Sequence, residues 1–265
     1  FFFYKYNISQ KKINQQGVWN NMENLYEQMI QRQTEIFTKE QQQIIKTTPV
    51  CIIGCGGLGG MVIEQLIRTG FEKLTIVDED VFDKTNLNRQ LRSDLKTINK
   101  SKSQTTKEHA LNINPDAQID AYDIHITEDN IDEIIKNSTI IIDAVDNVYT
   151  RVLISRAAEK QQKTFIHSAV ESTSGQLTIF DKTTPTYEQL FKLKSQDKPL
   201  DEAKEYLLSI SSKKPQVLGT TPAIFAALEV NETIKYILDL ENQILAPEVM
   251  MWDIFDITSL RTIEF

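Results

Sequence analysis

Four glycines within six residues, in the segment Gly54–Gly59, stand between a short apolar run and a stretch whose apolar residues have helical spacing. The run Val50–Ile53 predicts a buried strand, and Leu58 to Thr69 predicts a helix that ends at Gly70. A second apolar run, Leu74 to Val77, predicts the next strand. Strand, glycine turn, helix and strand in this order are typical of a parallel sheet, because a parallel crossover needs a helix to return the chain.

Helices and strands continue to alternate to about residue 180, and one more helix and two more strands are predicted after residue 216. Further predicted helices are Lys102 to Leu111, Ile131 to Ile135, Tyr149 to Glu159 and Pro222 to Leu240. Further predicted strands are Ile119 to Ile126, Thr139 to Val145, Phe165 to His167, Leu177 to Phe180, Val249 to Phe255 and Leu260 to Phe265. We therefore expect an α/β fold with a Rossmann-like doubly wound, mostly parallel sheet and an antiparallel C-terminal extension.

The length of 265 residues suits one α/β domain with a full core. We expect residues 1–20 to form a disordered tail and residues 21–265 to form a single domain. That domain begins with one or two helices between Glu23 and Ile45. Residues 182–216 are polar and contain three prolines, so they predict a long, partly helical crossover on the surface.

Composition narrows the functional classes. A net charge of -8 argues against a surface that coats nucleic acid, although a local basic pocket remains compatible with it. No apolar run approaches the roughly 20 residues that span a bilayer, so we expect no membrane segment. The two cysteines, Cys51 and Cys55, do not form a disulfide framework, which favours a reducing compartment such as the cytoplasm.

The glycine turn predicts a nucleotide site. Glycines let the backbone approach a phosphate, and the N–H groups at a helix N-terminus favour its negative charge. Asp78 ends the next strand, where an acid can accept hydrogen bonds from ribose hydroxyls. The predicted nucleotide-contacting residues of the turn are Gly54, Gly56, Gly57 and Gly59. This motif alone leaves NAD, FAD and ATP open.

Polar and cationic residues follow the second strand, namely Asp80 and the segment Asn86–Gln90, which contains Arg89. A dinucleotide dehydrogenase has no general need for a cation there, whereas a triphosphate has charge to neutralise. These residues favour ATP. The alternative for Arg89, and for Arg151 further along the chain, is a structural ion pair.

From about Arg32 to Phe265 the chain resembles the ThiF/MoeB/HesA family, the adenylating enzymes related to ubiquitin activators. Seven motifs carry the resemblance in order and spacing: Arg32-Gln33, Gly54 to Gly59, Asp78, Asn86 to Gln90, Lys102, Asn114-Pro115, and Asp143 to Asn147 followed by Arg151. The resemblance implies an ATP-dependent adenylyltransferase. Its substrate would be the C-terminal glycine carboxylate of a ubiquitin-like sulfur-carrier protein, activated as an acyl-adenylate with release of pyrophosphate.

The resemblance also implies roles for single residues. Asp78 would bind the ribose, and Asn86, Arg89 and Lys102 would contact the phosphates. Asp146 would hold Mg²⁺ near the α-phosphate. Asp80, Gln90 and Asn147 would complete the nucleotide site, and Arg32 would reach into the site of a partner subunit in a homodimer.

The chain departs from the family at two places. Many relatives hold a structural zinc with two Cys-x-x-Cys pairs, but Thr186 and Gln189 stand where the first pair would be, so we expect no zinc. Relatives that form a covalent intermediate use a crossover cysteine, whereas this crossover offers Ser209, Ser211 and Ser212. We therefore expect adenylation without a catalytic cysteine.

Three alternatives stay open beside a carrier in thiamine, molybdopterin or related sulfur metabolism. One is the tRNA-modifying branch of the superfamily, which adenylates a carboxylate on a nucleoside and closes a ring; lack of zinc suits it and the acidic charge does not. Another is a non-catalytic partner subunit. The last is an NAD-dependent dehydrogenase, which leaves Arg32, Asn86, Arg89 and Lys102 without a role. We expect nucleic acid binding only under the tRNA alternative.

Overall fold

The computed structural model describes residues 25–210 and 216–265. The expected tail at 1–20, together with Ser211 and Ser212, lies outside this range. The helices are α1 Leu25–Ile30, α2 Lys39–Thr47, α3 Gly59–Thr69, α4 Lys102–Ile113, α5 Ile131–Ile135, α6 Val148–Lys160, α7 Tyr187–Leu190, α8 Leu200–Ser209 and α9 Thr220–Ile237. The strands are β1 Pro49–Ile53, β2 Lys73–Val77, β3 Gln118–Tyr122, β4 Ile140–Asp143, β5 Thr164–Glu171, β6 Ser174–Phe180, β7 Glu248–Asp253 and β8 Arg261–Glu264.

These strands form one sheet in the order β3-β2-β1-β4-β5-β6-β7-β8. The first five strands in this order pair in parallel, and β6, β7 and β8 continue the sheet by antiparallel pairing. The order reverses between β1 and β4, which lie side by side at the centre. In open sheets of this kind, ligands bind outside the carboxyl ends of the strands at such a reversal. The expected fold class is confirmed.

Helices cover both faces of the sheet, and each face has its own apolar core. On one face α3 and α9 pack over the central strands through residues such as Val62, Leu66 and Phe225. On the other face α6 and α8 supply residues such as Ile154 and Leu207. Burial of this much apolar side chain is the main stabilising contribution to the fold. Within the described ranges, no helix is both long and apolar enough to cross a membrane.

The predicted ends of β3, β4 and β7 lie too far along the chain, and β7 ends at Asp253 rather than Phe255. β3 ends at Tyr122 rather than Ile126, because its partner β2 ends at Val77 and leaves nothing to pair with. β4 ends at Asp143 rather than Val145, where the chain turns into the loop before α6.

The predicted strands at 165–167 and 177–180 are both longer in the structure. They form a hairpin in which pairing extends to Glu171 and Ser174. The polar residues near its tip hid this extension from an argument based on apolar runs. In the described residues, α1 and α2 both begin in the segment expected to hold one or two helices, and α7 and α8 lie within the segment 182–216.

Candidate active site

The glycine turn is packed too tightly for side chains at two of its positions. Gly54 has a φ of +105°, and a Cβ there would lie 2.5 Å from the carbonyl oxygen of Ala144. A Cβ on Gly59 would lie 1.8 Å from the carbonyl oxygen of Gly54. The turn is thus pressed against the β4–α6 loop, and the N-terminus of α3 begins directly beside it. Glycine is thus required here for close packing, and the helix N-terminus beside the turn is a position that suits an anion.

The Asp78 carboxylate is fixed at the carboxyl end of β2. It accepts hydrogen bonds from the backbone N–H of Cys55 at 2.7 Å and of Asp80 at 2.8 Å. Burial raises the pKa of Asp78, although nearby Lys102 and the two N–H donors act in the opposite direction. Because each carboxylate oxygen has more than one lone pair, both can still accept a hydrogen bond from a ligand. The geometry suits a ribose hydroxyl.

Lys102 begins α4 and is almost fully buried, with 6% of its surface exposed. Its Nζ donates to Asp80 Oδ2 at 2.8 Å, and the Asp80 side chain is 64% exposed. An ammonium group has three N–H donors, so two remain for a ligand. Lys102 thus places its positive charge in the wall of the cleft near Asp78.

The segment 86–90 lies over the glycine turn. The Asn86 side chain accepts from the backbone N–H of Asp83 at 3.0 Å and so caps a short helical turn, Lys84–Asn86. The Arg89 guanidinium donates to the carbonyl oxygen of Thr85 at 2.9 Å, and its stem lies against Gly57. Gln90 lies next to Gly56, and its Oε1 is buried without a hydrogen-bond partner.

The loop between β4 and α6 is held by a buried ion pair. Asp143 is completely buried, and its Oδ2 accepts from Arg151 Nε. Asp143 Oδ1 also accepts from the backbone N–H of Val145 at 3.1 Å, while Arg151 Nη2 donates to the Val145 carbonyl oxygen at 2.7 Å. Both backbone polar groups of Val145 are therefore bonded to the pair. The next residue, Asp146, is exposed, and no described residue forms a hydrogen bond with its carboxylate.

Charge pairing dominates the buried part of this loop. Burial alone would raise the pKa of Asp143, but Arg151 and a hydrogen bond from His167 outweigh it and lower the pKa. Burial alone would lower the pKa of Arg151, but Asp143 raises it. The two side chains are thus an ionised pair. Arg151 forms the structural ion pair that the sequence left open as its alternative role.

One cleft of about 1150 Å³ runs along the carboxyl ends of the strands. The predicted site residues in its lining are Gly54, Gly56, Gly57, Asp78, Asp80, Asn86, Arg89, Gln90, Lys102, Asp146 and Asn147. Two predicted residues are elsewhere. Gly59 packs inside the turn. Arg32 is exposed beside Gln33, whose side chain donates to the carbonyl oxygen of Thr69 at the far end of α3. The neighbour of Arg32 thus contacts the end of α3 opposite the glycine turn, and α3 is roughly 16 Å long at 1.5 Å per residue.

The family profile of ThiF matches residues 30–264, which is most of the chain. The chain belongs to the ThiF family. Among its relatives, the SAMP-activating enzyme E1 of Haloferax volcanii is 27% identical, over 83% of this chain and 77% of the relative. The sulfur carrier protein adenylyltransferase of Thermus thermophilus is also 27% identical, over 81% of this chain and 78% of the relative. Both names describe the activation of another protein or the transfer of an adenylyl group.

Solved structures share the fold of this ThiF-family chain. A crystal structure of E. coli MccB with MccA-N7isoASN superposes with a TM-score of 0.75 at 19% identity and covers 92% of this chain and 72% of that one. E. coli tRNA N6-threonylcarbamoyladenosine dehydratase with AMP superposes with a TM-score of 0.65 at 18% identity and covers 83% and 98%. At these identities the likeness establishes the fold alone.

Thr186 and Gln189, at which the resemblance implies cysteines in many relatives, form a helix cap in this chain. Thr186 Oγ1 accepts from the backbone N–H of Gln189 at 3.2 Å, and Gln189 Oε1 accepts from the backbone N–H of Thr186 at 2.8 Å. The two residues form a reciprocal cap on α7. In the described part of the chain, no group of three or more His, Cys, Asp or Glu residues is placed to hold a metal ion.

Mg²⁺ has a different requirement from zinc, because it is commonly bound by one or two carboxylates together with substrate phosphates. Asp146 meets that requirement as a hard oxygen ligand that faces the cleft and that no described residue engages. The residues present therefore fit a magnesium ion carried in with a nucleotide.

Two side chains of nucleophilic type, Cys55 and Ser209, are not available as nucleophiles. Burial is the main cause that raises the pKa of Cys55 well above its ordinary value, so this thiol stays protonated and packed. Ser209 Oγ donates to the carbonyl oxygen of Tyr206 at 2.6 Å, within its own helix. Ser211 and Ser212, the other two serines of the crossover, lie outside the described range.

Sequence reasoning missed the second half of the cleft. The part of the lining that it missed comes from the adjacent ends of β5 and β6, namely Ser168 to Glu171 and Ser174 to Gln176, and from Met251 on β7. Ile210, Val217 and Pro222 also line the cleft, and Pro222 lies beside Gly57. The available signal was the polar segment Ser172 to Gln176, which interrupts two apolar strands. Its pairing across the sheet could not be read from spacing alone.

Proposed function

We propose that this ThiF-family chain is an ATP-dependent adenylyltransferase that activates the C-terminal glycine carboxylate of a ubiquitin-like sulfur-carrier protein. One observation carries the proposal: the unengaged carboxylate of Asp146 shares a cleft with the glycine turn, Arg89 and Lys102. The cleft also exceeds the roughly 300–1000 Å³ that is usual for a small-molecule site, which leaves room for a second substrate.

The reaction joins two anions, and the site is built to reduce their repulsion. An oxygen of the incoming carboxylate forms a bond to the α-phosphorus, and the bond from that phosphorus to the bridging oxygen of the β-phosphate breaks. Pyrophosphate leaves with the electron pair. A carboxylate is deprotonated at neutral pH, so the step needs no general base. The chain has to supply orientation and positive charge rather than acid–base catalysis.

The side chains of the cleft suit these tasks. The glycine turn and the N-terminus of α3 would receive phosphate oxygens, and Asp78 would orient the ribose. Arg89 and Lys102 would neutralise charge on the β- and γ-phosphates as pyrophosphate leaves. Asp146 would hold Mg²⁺, which supplies charge neutralisation at the phosphates when it is bound. The ion pair of Asp143 and Arg151 keeps Asp146 in place.

The adenylate would be the product released to the next enzyme. The crossover contains no cysteine, and a serine without an adjacent base is a weak nucleophile. A homodimer would complete the site, because Arg32 is exposed for contact with another subunit and does not line the cleft of its own chain. A cytoplasmic location suits a chain in which Cys51 and Cys55 are both free thiols.

The fold shared with the tRNA dehydratase keeps nucleic acid as the second candidate substrate. The acidic net charge opposes it, because binding to tRNA depends on neutralising many phosphates. A non-catalytic role is opposed by the presence of both Arg32 and Asp146, which allow one kind of chain to build a complete site.

The test is ATP–pyrophosphate exchange with Mg²⁺ and a panel of purified carriers that end in Gly-Gly. We expect exchange that depends on one carrier and that Asp146→Ala reduces at least about a hundredfold. Asp120→Asn, which changes an exposed carboxylate on β3 outside the cleft, is the matched control and should leave exchange intact. ATP binding without exchange for any carrier would contradict the proposal. Exchange with tRNA instead would favour the second candidate.

A further inference from the structure

His167 on β5 lies between a carboxylate and an amide. Its imidazole is completely buried, with Nδ1 2.8 Å from Asp143 Oδ2 and Nε2 3.0 Å from Gln176 Nε2. The rings of Tyr187 and Phe191 pack edge-on against it, at centroid distances of 5.1 and 5.7 Å. The imidazole is therefore fixed in orientation as well as in position.

The protonation of this chain of groups follows from Asp143. Its carboxylate is ionised and can only accept, so His167 Nδ1 must carry the proton between them. Burial lowers the pKa of His167, which leaves the ring neutral and makes Nε2 an acceptor. Only the NH₂ group of the Gln176 amide can donate to Nε2. The other end of that amide, Oε1, is consequently turned away from His167.

Gln176 lies in the wall of the cleft beyond Asp146. It is on β6, next to Gly175 and paired with Met251 on β7, and all three residues line the cleft. The nucleotide end of the same cleft is at the glycine turn, on the other side of Asp146. A chain whose terminal carboxylate reaches an α-phosphate near Asp146 would lie along this second end.

A Gly-Gly terminus has no side chains for a protein to recognise. Selection must use the backbone, whose N–H groups are obligatory donors that lose solvent when they enter a cleft. A fixed acceptor in the wall satisfies one of them. An amide held in one orientation does so better than a free one, because less rotational freedom is lost on binding.

We propose that Gln176 binds the protein substrate by accepting a hydrogen bond from a backbone N–H in its last few residues, and that His167 is a positioning residue that holds the Gln176 amide in the accepting orientation. The inference rests on the proposed function. It adds the way in which the C-terminal segment is recognised.

The first test uses the carrier that best supports exchange by the unaltered chain. Gln176→Leu should raise the KM for that carrier about five- to tenfold and change the KM for ATP by less than about twofold. Gln104→Leu is the control, since Gln104 donates to Ala121 on the surface outside the cleft. Equal rises in both KM values, or no rise in the carrier's, would overturn the assignment.

The second test removes the donor instead of the acceptor. Carriers with a single N-methylated residue among their last four positions lack one backbone N–H each. With the unaltered chain, one of these carriers should show the same rise in KM that Gln176→Leu shows with the ordinary carrier. Gln176→Leu combined with that carrier should raise the KM no further than either change alone. Additive losses at every position would show that no N–H pairs with Gln176.

A measurement on the free chain tests the positioning role without turnover. Nitrogen NMR of His167 should show a neutral imidazole with the proton on Nδ1, and a proton on Nε2 would overturn the argument. If no carrier supports exchange, the proposed function fails and Gln176 loses its substrate with it. If exchange occurs and Gln176→Leu behaves as the control does, only this inference fails.

Discussion

Arg151 and Asp143 enclose the backbone of Val145, one residue before the exposed carboxylate of Asp146. Arg151 bonds to the Val145 carbonyl oxygen and Asp143 to its N–H, and the two side chains pair with each other. The position of Asp146 is therefore set by α6 and β4 rather than by the loop.

This arrangement makes Arg151→Met a test of the proposed magnesium site at Asp146. The change leaves the Asp143 carboxylate buried and unpaired, so we expect the free energy of unfolding to fall by about 3–5 kcal/mol. The loosened loop should also raise the Mg²⁺ concentration at which exchange is half-maximal. Denaturant unfolding and a magnesium titration measure the two effects.

Arg68→Met is the control for this prediction. Arg68 pairs with Glu64 four residues earlier on α3, and its side chain is 57% exposed. A surface pair of this kind contributes about 0.5 kcal/mol. If both variants shift the magnesium profile equally, the enclosure of Val145 does not position Asp146.

Two glycines of the turn are required for different reasons, and alanine separates them. In Gly59→Ala the new Cβ would meet the Gly54 carbonyl oxygen at 1.8 Å, so we expect a loss of roughly 3 kcal/mol or more in stability. In Gly56→Ala the nearest atom is the flexible Gln90 side chain at 3.6 Å. That variant should keep its melting temperature and bind ATP more weakly, because the methyl group occupies the cleft. Thermal unfolding and calorimetric ATP titration distinguish the two outcomes.

The parts of the fold that were predictable are local in sequence. The glycine turn, the helix after it and Asp78 follow from residues within one strand–helix–strand unit, where the spacing of apolar residues decides the structure. The reciprocal cap formed by Thr186 and Gln189 is also local in sequence. The argument from the missing cysteines predicted only that zinc ligands are absent, and it did not predict that these two residues cap a helix. The error at Ile126 arose because apolar residues that line a cleft resemble those of a strand.

What could not be predicted depends on strand order and register. His167 meets Asp143 because β4 pairs with β5 in parallel, and it meets Gln176 because β5 and β6 form an antiparallel hairpin. Neither pairing is encoded in the residues near His167. The sequence predicts only that His167 lies in a strand, and the register shows that it connects the loop before Asp146 to Gln176 in the wall of the cleft.

Because Glu229 on α9 is buried, we expect it to make the free energy of unfolding depend on pH. Both its carboxylate oxygens are buried without a hydrogen-bond partner, and burial raises its pKa well above the ordinary value. The folded state therefore retains a proton that the unfolded state loses above about pH 4.3. Stability contributed by this protonation is complete below that pH and declines as the pH rises toward the folded-state pKa.

Glu229→Leu should remove this decline. We expect the variant to be more stable than the unaltered chain at pH 7.5, by about 1–3 kcal/mol, and the gain to shrink at pH 4.5. Glu241→Leu, at an exposed position, is the comparison. An equal gain in stability at both pH values would mean that the pKa of Glu229 is the same in the folded and unfolded states.

Arg89 should distinguish ATP from AMP. Its guanidinium lies against Gly57 and no described acidic side chain forms an ion pair with it, so its charge is available for phosphate. We expect Arg89→Met to weaken ATP binding about tenfold or more, since charge-assisted hydrogen bonds are lost, and to weaken AMP binding much less. Lys96→Met, which removes an exposed cation outside the cleft, should change neither affinity. Calorimetry with the two nucleotides gives the comparison.

The eight strands form a single sheet, and β5 belongs to both its parallel and its antiparallel part. The wall proposed for the nucleotide and the wall proposed for the protein tail are consequently parts of one hydrogen-bonded plate, with strands about 4.8 Å apart. Such a plate has no hinge between its two ends. The reacting groups would be aligned when the C-terminal segment of the protein substrate enters a preformed cleft. The slow physical step would therefore be the entry of that segment rather than the closure of two domains.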